Sequence, residues 1–144
     1  MFAFSRFCLV TLGLLAVLAV LRDQVRAGVH LVHYCDGRIF VTNEDADIPL
    51  TDPGRFVTDP GSTAAGRLFA VWAEAQRTGR RPPTHELVRR LPPRRGCLAL
   101  PVPDDAGHLV AALLVEAPAA RLKVPEELMA ILVGGVSELT MLLT

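Results

Sequence analysis

The stretch Gly96–Pro118, GCLALPVPDDAGHLVAALLVEAP, constrains the fold of this chain more than any other. Two apolar runs, Cys97–Val102 and His108–Val115, flank Pro103–Gly107, whose prolines, aspartates and glycine are turn formers. Each run is short and lacks the polar alternation of a strand with one wet face. Runs of this kind suit strands that are buried on two faces or central in a sheet. The expectation is a pair of neighbouring antiparallel strands joined at the Pro103–Gly107 corner, with further strands and helices around them.

A second hairpin signal precedes it. GVHLVHYCDGRIFVTN, Gly28–Asn43, holds two β-rich runs about Asp36-Gly37, a dipeptide suited to a two-residue hairpin turn. The polar segment that follows contains Thr-Asp-Pro-Gly twice, from Thr51 and from Thr58, and reads as two turns. Thr63–Arg77 reads as a helix capped by Ser62 or Thr63 and ended by Gly79, with Ala65, Leu68, Phe69 and Trp72 on one side. Thr84–Leu91, bounded by Pro82-Pro83 and Pro92-Pro93, reads as a short second helix. From Val124-Pro125-Glu126-Glu127 a last helix begins, with Leu128, Ile131, Leu132, Val136, Leu139 and Leu142 as its apolar stripe. Gly134-Gly135 within it implies close packing or a kink. The order gives an α+β domain: an antiparallel sheet with helices packed on one face, the other face left for a ligand or partner, plus an apolar N-terminal helix.

That N-terminal helix divides residues 1–27 from a domain of residues 28–144. FCLVTLGLLAVLAVL, Phe7–Leu21, carries no charge, with Arg6 before it and Arg22, Asp23 and Arg26 after. Three readings stand beside one another. A membrane anchor would leave a cytoplasmic domain, since more arginines follow the segment than precede it. A signal peptide cleaved near Val25-Arg26-Ala27 would make the product secreted or an envelope protein. A helix buried in the fold or in a dimer interface would leave the protein cytoplasmic, though a helix apolar all round needs cover on every side. The anchor is preferred, and with it a membrane-associated location and the membrane as a partner.

With 144 residues the chain can bury a core without staples. Fifteen basic and fifteen acidic residues cancel, so no net field draws nucleic acid. Cys8, Cys35 and Cys97 are odd in number and widely spaced, which supports neither a disulfide framework nor a zinc site.

GCLALPVPDDAGHLVAALLVEAP followed by VPEELMAILVGGVSELTMLL resembles the carboxyl-terminal half of a GAF domain. GSTAAGRLFAVWAEAQRTGRRP is similar to that family's glycine-rich helix start and Thr-Gly-Arg-Pro-like end, and LVHYCDGRIFVTN occupies the place of its first hairpin. The resemblance covers residues 22–144. It implies an antiparallel sheet with helices behind and a pocket or dimer face in front, and a regulatory, non-catalytic role in signalling by binding a small ligand, by dimerising, or both. The Asn-Lys…Phe-Asp-Glu signature of the cyclic-nucleotide-binding members is absent. Residues 43–96 hold no cysteine for the sulfoxide-reducing members' chemistry. The order of elements also resembles roadblock-type and profilin-like modules, which bind partner proteins; this is the second choice.

A pocket between the sheet and the central helix would be lined by Phe40, Phe56, Phe69 and Trp72, with Arg67 supplying charge; the same aromatics could equally be core. Arg77, Arg80, Arg81, Arg89, Arg90, Arg94 and Arg95 form a basic stretch, either a docking patch for an acidic partner, anionic ligand or anionic leaflet, or a solvated loop. No aromatics are interleaved for base stacking, so nucleic acid is not expected. His30, His33 and Cys35 read as strand residues rather than metal ligands, and Glu44, Asp45 and Asp47 as a solvated loop. No nucleophile stands at a recognisable spacing from a base, and neither catalysis, a metal nor a cofactor is expected. A homodimer or a regulatory protein partner is.

Overall fold

The computed structural model describes residues 2–45, 48–91, 95–118, 120, 122 and 126–143. In chain order the elements are α1 (Phe2–Val25), β1 (Gly28–Cys35), β2 (Arg38–Asn43), α2 (Arg55–Thr58), a 3-10 turn (Pro60–Ser62), α3 (Ala64–Thr78), β3 (Glu86–Leu91), β4 (Arg95–Pro103), β5 (Leu109–Pro118) and α4 (Glu126–Leu143). The strands form one antiparallel sheet in the order β2-β1-β5-β4-β3.

β5 is its centre. Leu113 stands opposite both Leu31 and Leu100, and Leu114 opposite both His30 and Ala99. Because successive side chains point to opposite faces, the apolar run of β5 feeds two cores. Ala111, Leu113, Val115 and Ala117 join Val29, Leu31, Leu98, Leu100 and Val102 under α1 and α4. Ala112 and Leu114 join Val32, Cys97 and Ala99 under α3 and α2. The one-faced arrangement expected from the sequence is therefore corrected. Helices cover both faces, because β5 carries buried apolar side chains on each of them and each side needs cover.

Two turns set the registers. Asp36 and Gly37 both have positive φ, 52° and 74°, the primed turn that matches strand twist. At the β4–β5 corner the Asp104 carboxylate accepts hydrogen bonds from the N–H groups of Ala106 and His108, each 2.9 Å, and Gly107 takes φ 84°. Trp72 Nε1 and Gln76 Nε2 of α3 donate to the Gly107 carbonyl at 3.3 and 2.9 Å, tying the helix to this corner.

Thr84–Leu91 departs from the expected short helix. Residues 86–91 form the edge strand β3, paired with β4 through Glu86–Ala99, Leu87–Leu98 and Val88–Cys97. Leu87 enters the α1–α4 core and Val88 the α3 core. A segment of barely two turns gains little as a helix, and the β4 edge offers it a ladder instead.

The membrane reading is overturned. Among the described residues no helix is long and apolar enough to cross a membrane. α1 instead lays Leu14, Leu18 and Leu21 into the core, where each buried leucine contributes about 1.5–3 kcal/mol. Neither a membrane-associated location nor a membrane partner is supported by a helix used this way. α1 and α4 run antiparallel, with Gly13 against Leu142 and Gly135 against Leu21. A Cβ on Gly135 would lie 2.6 Å from the Leu21 side chain, whereas one on Gly134 would meet nothing within 4 Å. The paired glycines are thus explained separately: Gly135 permits the helix contact, and Gly134 faces outward.

Gly134→Ala is expected to raise stability by about 0.5–1 kcal/mol through helix propensity. Gly135→Val is expected to lower it by about 1–3 kcal/mol through overpacking. Urea midpoints that move alike for both would contradict the α1–α4 packing.

Candidate functional site

The outer side of the α3 layer holds a cleft of about 650 Å³. Gly37, Arg38, Ile39 and Phe40 of the β1–β2 hairpin form one wall, Phe56, Val57, Pro60 and Gly61 the second, and Gly66, Phe69 and Ala70 of α3 the third. Its size falls in the range of small-molecule sites, and its lining is mostly apolar with one charged residue, Arg38.

The local sequence builds these walls. The two Thr-Asp-Pro-Gly segments each close with a carbonyl of aspartate: Asp52 O accepts from Arg55 N at 3.2 Å, and Asp59 O from Ser62 N at 3.1 Å. The first starts α2 and the second the 3-10 turn. Thr63 then caps α3, accepting from Gly66 N at 3.0 Å while its hydroxyl donates to Pro60 O at 2.7 Å. Gly66 is needed for close approach, since a Cβ there would lie 1.8 Å from the Pro60 carbonyl oxygen. Phe69 stacks on Tyr34, ring centroids 4.7 Å apart, and the Tyr34 hydroxyl donates to Ala65 O at 2.6 Å. The Tyr34 phenol is pushed up by burial and stays protonated.

Of the expected pocket residues, Phe40, Phe56 and Phe69 line this cleft. Trp72 does not. It is buried in the α3 core with its indole N–H on Gly107 O. Arg67 stands outside the lining, its Nε donating to Gly61 O at 3.3 Å, and so holds a wall in place. Members of the basic stretch have separate fates. Arg77 pairs with Glu74, Arg80 and Arg81 are exposed beyond α3, Arg89 and Arg90 lie in β3, and Arg94 is outside the described residues. Arg95 turns inward to Glu116.

Phe56 also lines a second, much smaller space of about 30 Å³, with Leu50, Thr63, Ala64, Cys97 and Glu116. That volume holds a water or two and no more. Beside it sits a buried polar cluster that the sequence reading did not find. Glu116 is 2% exposed; its carboxylate accepts from Arg95 Nε at 3.2 Å, from Thr51 N at 3.1 Å and from the Thr51 hydroxyl. His30 is fully buried, and its Nδ1 accepts from Asp45 N at 3.0 Å. Asp45, expected in a solvated loop, is buried, pairing with Arg22 at 3.4 Å and accepting from Ile48 N; Asp47 is outside the described residues. The one available signal was Glu116 itself, a lone charge inside the apolar run of β5.

Chemically the cluster is an anchor. A buried carboxylate is tolerable because an arginine and two further donors satisfy it, and in doing so it fastens the loop at Thr51 to β5. Burial pushes the His30 imidazole below its ordinary value, outweighing the opposing pull of Glu116, Asp45 and Glu44. The Asp45 N–H aimed at Nδ1 also requires the neutral ring. Burial, reinforced by Glu116, pushes the Cys97 thiol up and disfavours its thiolate. Among the described residues no three histidine, cysteine or acidic side chains come together as a metal site.

No protein-family model and no curated relative matches the chain. Solved structures do. The chain is similar to the C-terminal domain of the Escherichia coli transcriptional regulator KdgR, with TM-score 0.65, 16% identity, and 92% of this chain and 97% of that one covered. An IclR transcriptional regulator from Alicyclobacillus acidocaldarius matches with TM-score 0.63 and 14% identity, over 92% of this chain and 67% of that one. The gliding protein mglB of Thermus thermophilus matches with TM-score 0.58 and 16% identity, over 90% and 87%. At these identities the likeness is one of fold: an α+β domain with a five-stranded antiparallel sheet.

Two outcomes test the cluster. Arg95→Met leaves Glu116 buried without its counter-charge and is expected to cost about 3–5 kcal/mol, part of it recovered by adding Glu116→Gln. An unchanged urea midpoint for Arg95→Met would contradict the ion pair's role. Well above pH 6.5, the ordinary histidine value, His30 is neutral folded and unfolded and adds no pH dependence. Below it the unfolded chain takes up a proton that the folded chain resists, so stability falls as pH drops. The slope of urea midpoint against pH between 6.5 and 5 should be shallower in His30→Gln than in the unaltered chain.

Proposed function

We propose that this chain is a non-catalytic regulatory domain of the GAF-like kind, in which occupancy of the cleft between β2, α2 and α3 is the input. The observation that carries this is the cleft itself: about 650 Å³, mostly apolar on three walls, with Arg38 its one charged lining residue. A site of this composition takes an apolar body with a carboxylate on it. The likeness to regulator C-terminal domains supports the regulatory role.

Residues 28–144 carry the cleft and residues 1–27 supply a pairing helix. The sides of α1 and α4 turned away from the sheet expose Leu12, Leu15, Val20, Val133 and Met141, the last by 78%. With Gly134 open to close approach, these apolar side chains give a second copy a surface to lie against. Ligand in the cleft then shifts how the helices pair. The same apolar side also supports the second reading, a roadblock-like scaffold that binds a partner protein and has no small ligand.

Octanoate and phenylacetate serve as probes of the cleft. Either should raise the melting temperature of the unaltered chain, and Ala70→Trp, which fills the cleft, or Arg38→Glu should abolish the shift. Light scattering should give a dimer that Val133→Asp with Met141→Asp converts to monomer. A monomer with no thermal shift overturns the regulatory reading; a dimer with no shift selects the scaffold.

A further inference from the structure

Arg38, Ile39 and Phe40 are consecutive in β2, yet all three line the cleft. Side chains on a strand alternate between faces. Ile39 stands opposite Tyr34 on the α3 side, whereas Phe40 stands opposite His33 and belongs to the other. A cleft touching all three runs along the strand's edge, not over one face.

β2 is an edge strand, with β1 as its one neighbour in the sheet among the described residues. The primed turn closes on a hydrogen-bonded Cys35–Arg38 pair, and in an antiparallel ladder the bonded and non-bonded pairs then alternate. Arg38 and Phe40 therefore direct their N–H and C=O groups to β1, while those of Ile39, at the cleft, and of Val41, beyond it, point away from β1. Edge strands in folded proteins are normally blunted by proline, charge or cover. At the opposite edge, β3 is preceded by Pro82-Pro83. β2 has no proline, and its rim is apolar, with Phe40 51% and Val57 81% exposed.

Charge identifies what fits there. Arg38 at the cleft and Arg67 beside it have no carboxylate partner among the described residues, while Arg22, Arg55, Arg77 and Arg95 each have one. We propose that the β2 edge with its cleft is a docking site for an extended acidic segment of a partner protein, which adds a sixth strand beside β2. Alternate apolar side chains of that segment enter the cleft over Phe56 and Phe69, and its acidic residues meet Arg38 and Arg67. Main-chain bonds to Ile39 and Val41 supply affinity and the cleft supplies selectivity. The inference rests on the cleft being the binding site and names the class of its occupant.

The test uses the full chain and peptides selected against it from a random twelve-residue displayed library. Selected peptides should alternate apolar with polar or acidic residues. Methylating the backbone nitrogens of one alternate set in such a peptide should weaken binding about tenfold or more, and methylating the other set should not. Val41→Pro, which removes an outward N–H and spares the β1 ladder, should weaken binding similarly, as should Arg38→Glu. Peptides without alternation, or indifferent to methylation of either set, overturn strand addition. If octanoate still raises the melting temperature in that case, the cleft reading survives and only the occupant is wrong; if it does not, both fall. A dimer that Val41→Pro converts to monomer would make the occupant a second copy and also overturn the proposal.

Discussion

The pairing of β5 with β1 on one side and β4 on the other is the constraint from which the rest of this molecule follows. Ala111–Ala117 of β5 are buried without a break, so neither face of the sheet can stay in water. Each face needs a helical layer, and the chain supplies α1 with α4 for one and α3 with α2 for the other. This is why an N-terminal segment apolar enough to suggest a bilayer serves as a core helix. A side chain such as Leu18 gains as much from the sheet as it would from lipid, and it does so within its own domain.

With both faces occupied, the places left for recognition are the rims. The buried ion pair of Glu116 and Arg95, together with Thr51, fastens the loop leading into α2. The two Asp-Pro-Gly turns then hold Phe56 and Pro60 at a fixed distance from β2, and the Gly66 gap lets α3 start beneath them. A rigid cleft at an open strand edge follows. Its lining offers apolar contacts and the charge of Arg38, and burial pushes the nearby Cys97 thiol and Tyr34 phenol up.

Much of this was legible beforehand, and the failures have physical causes. The Asp36-Gly37 and Pro103–Gly107 turns, the Thr63 cap and the Gly79 end of α3 are local signals, and they match the structure. Gly79 has φ 71°, as a left-handed helix end requires. β3 was misread because six residues carry no decisive period, and pairing with β4 decides their state. The site was read in part: three phenylalanines reach the cleft, while Trp72 was drawn off by the carbonyl of Gly107, a partner distant in sequence. The buried cluster was illegible for the same reason. His30, Asp45, Thr51, Arg95 and Glu116 come together only when the sheet order is known, and polar residues in loops otherwise read as solvated.

Amide hydrogen exchange, resolved residue by residue in the native chain, tests this architecture most directly. If a doubly covered sheet with one open edge is correct, Ala112–Val115 exchange slowest. Leu14–Leu21 of α1 are protected alongside them, and Ile39 and Val41 exchange far faster than Phe40 between them. Fast exchange throughout α1, or protection of Ile39 and Val41 equal to that of Phe40, would contradict it.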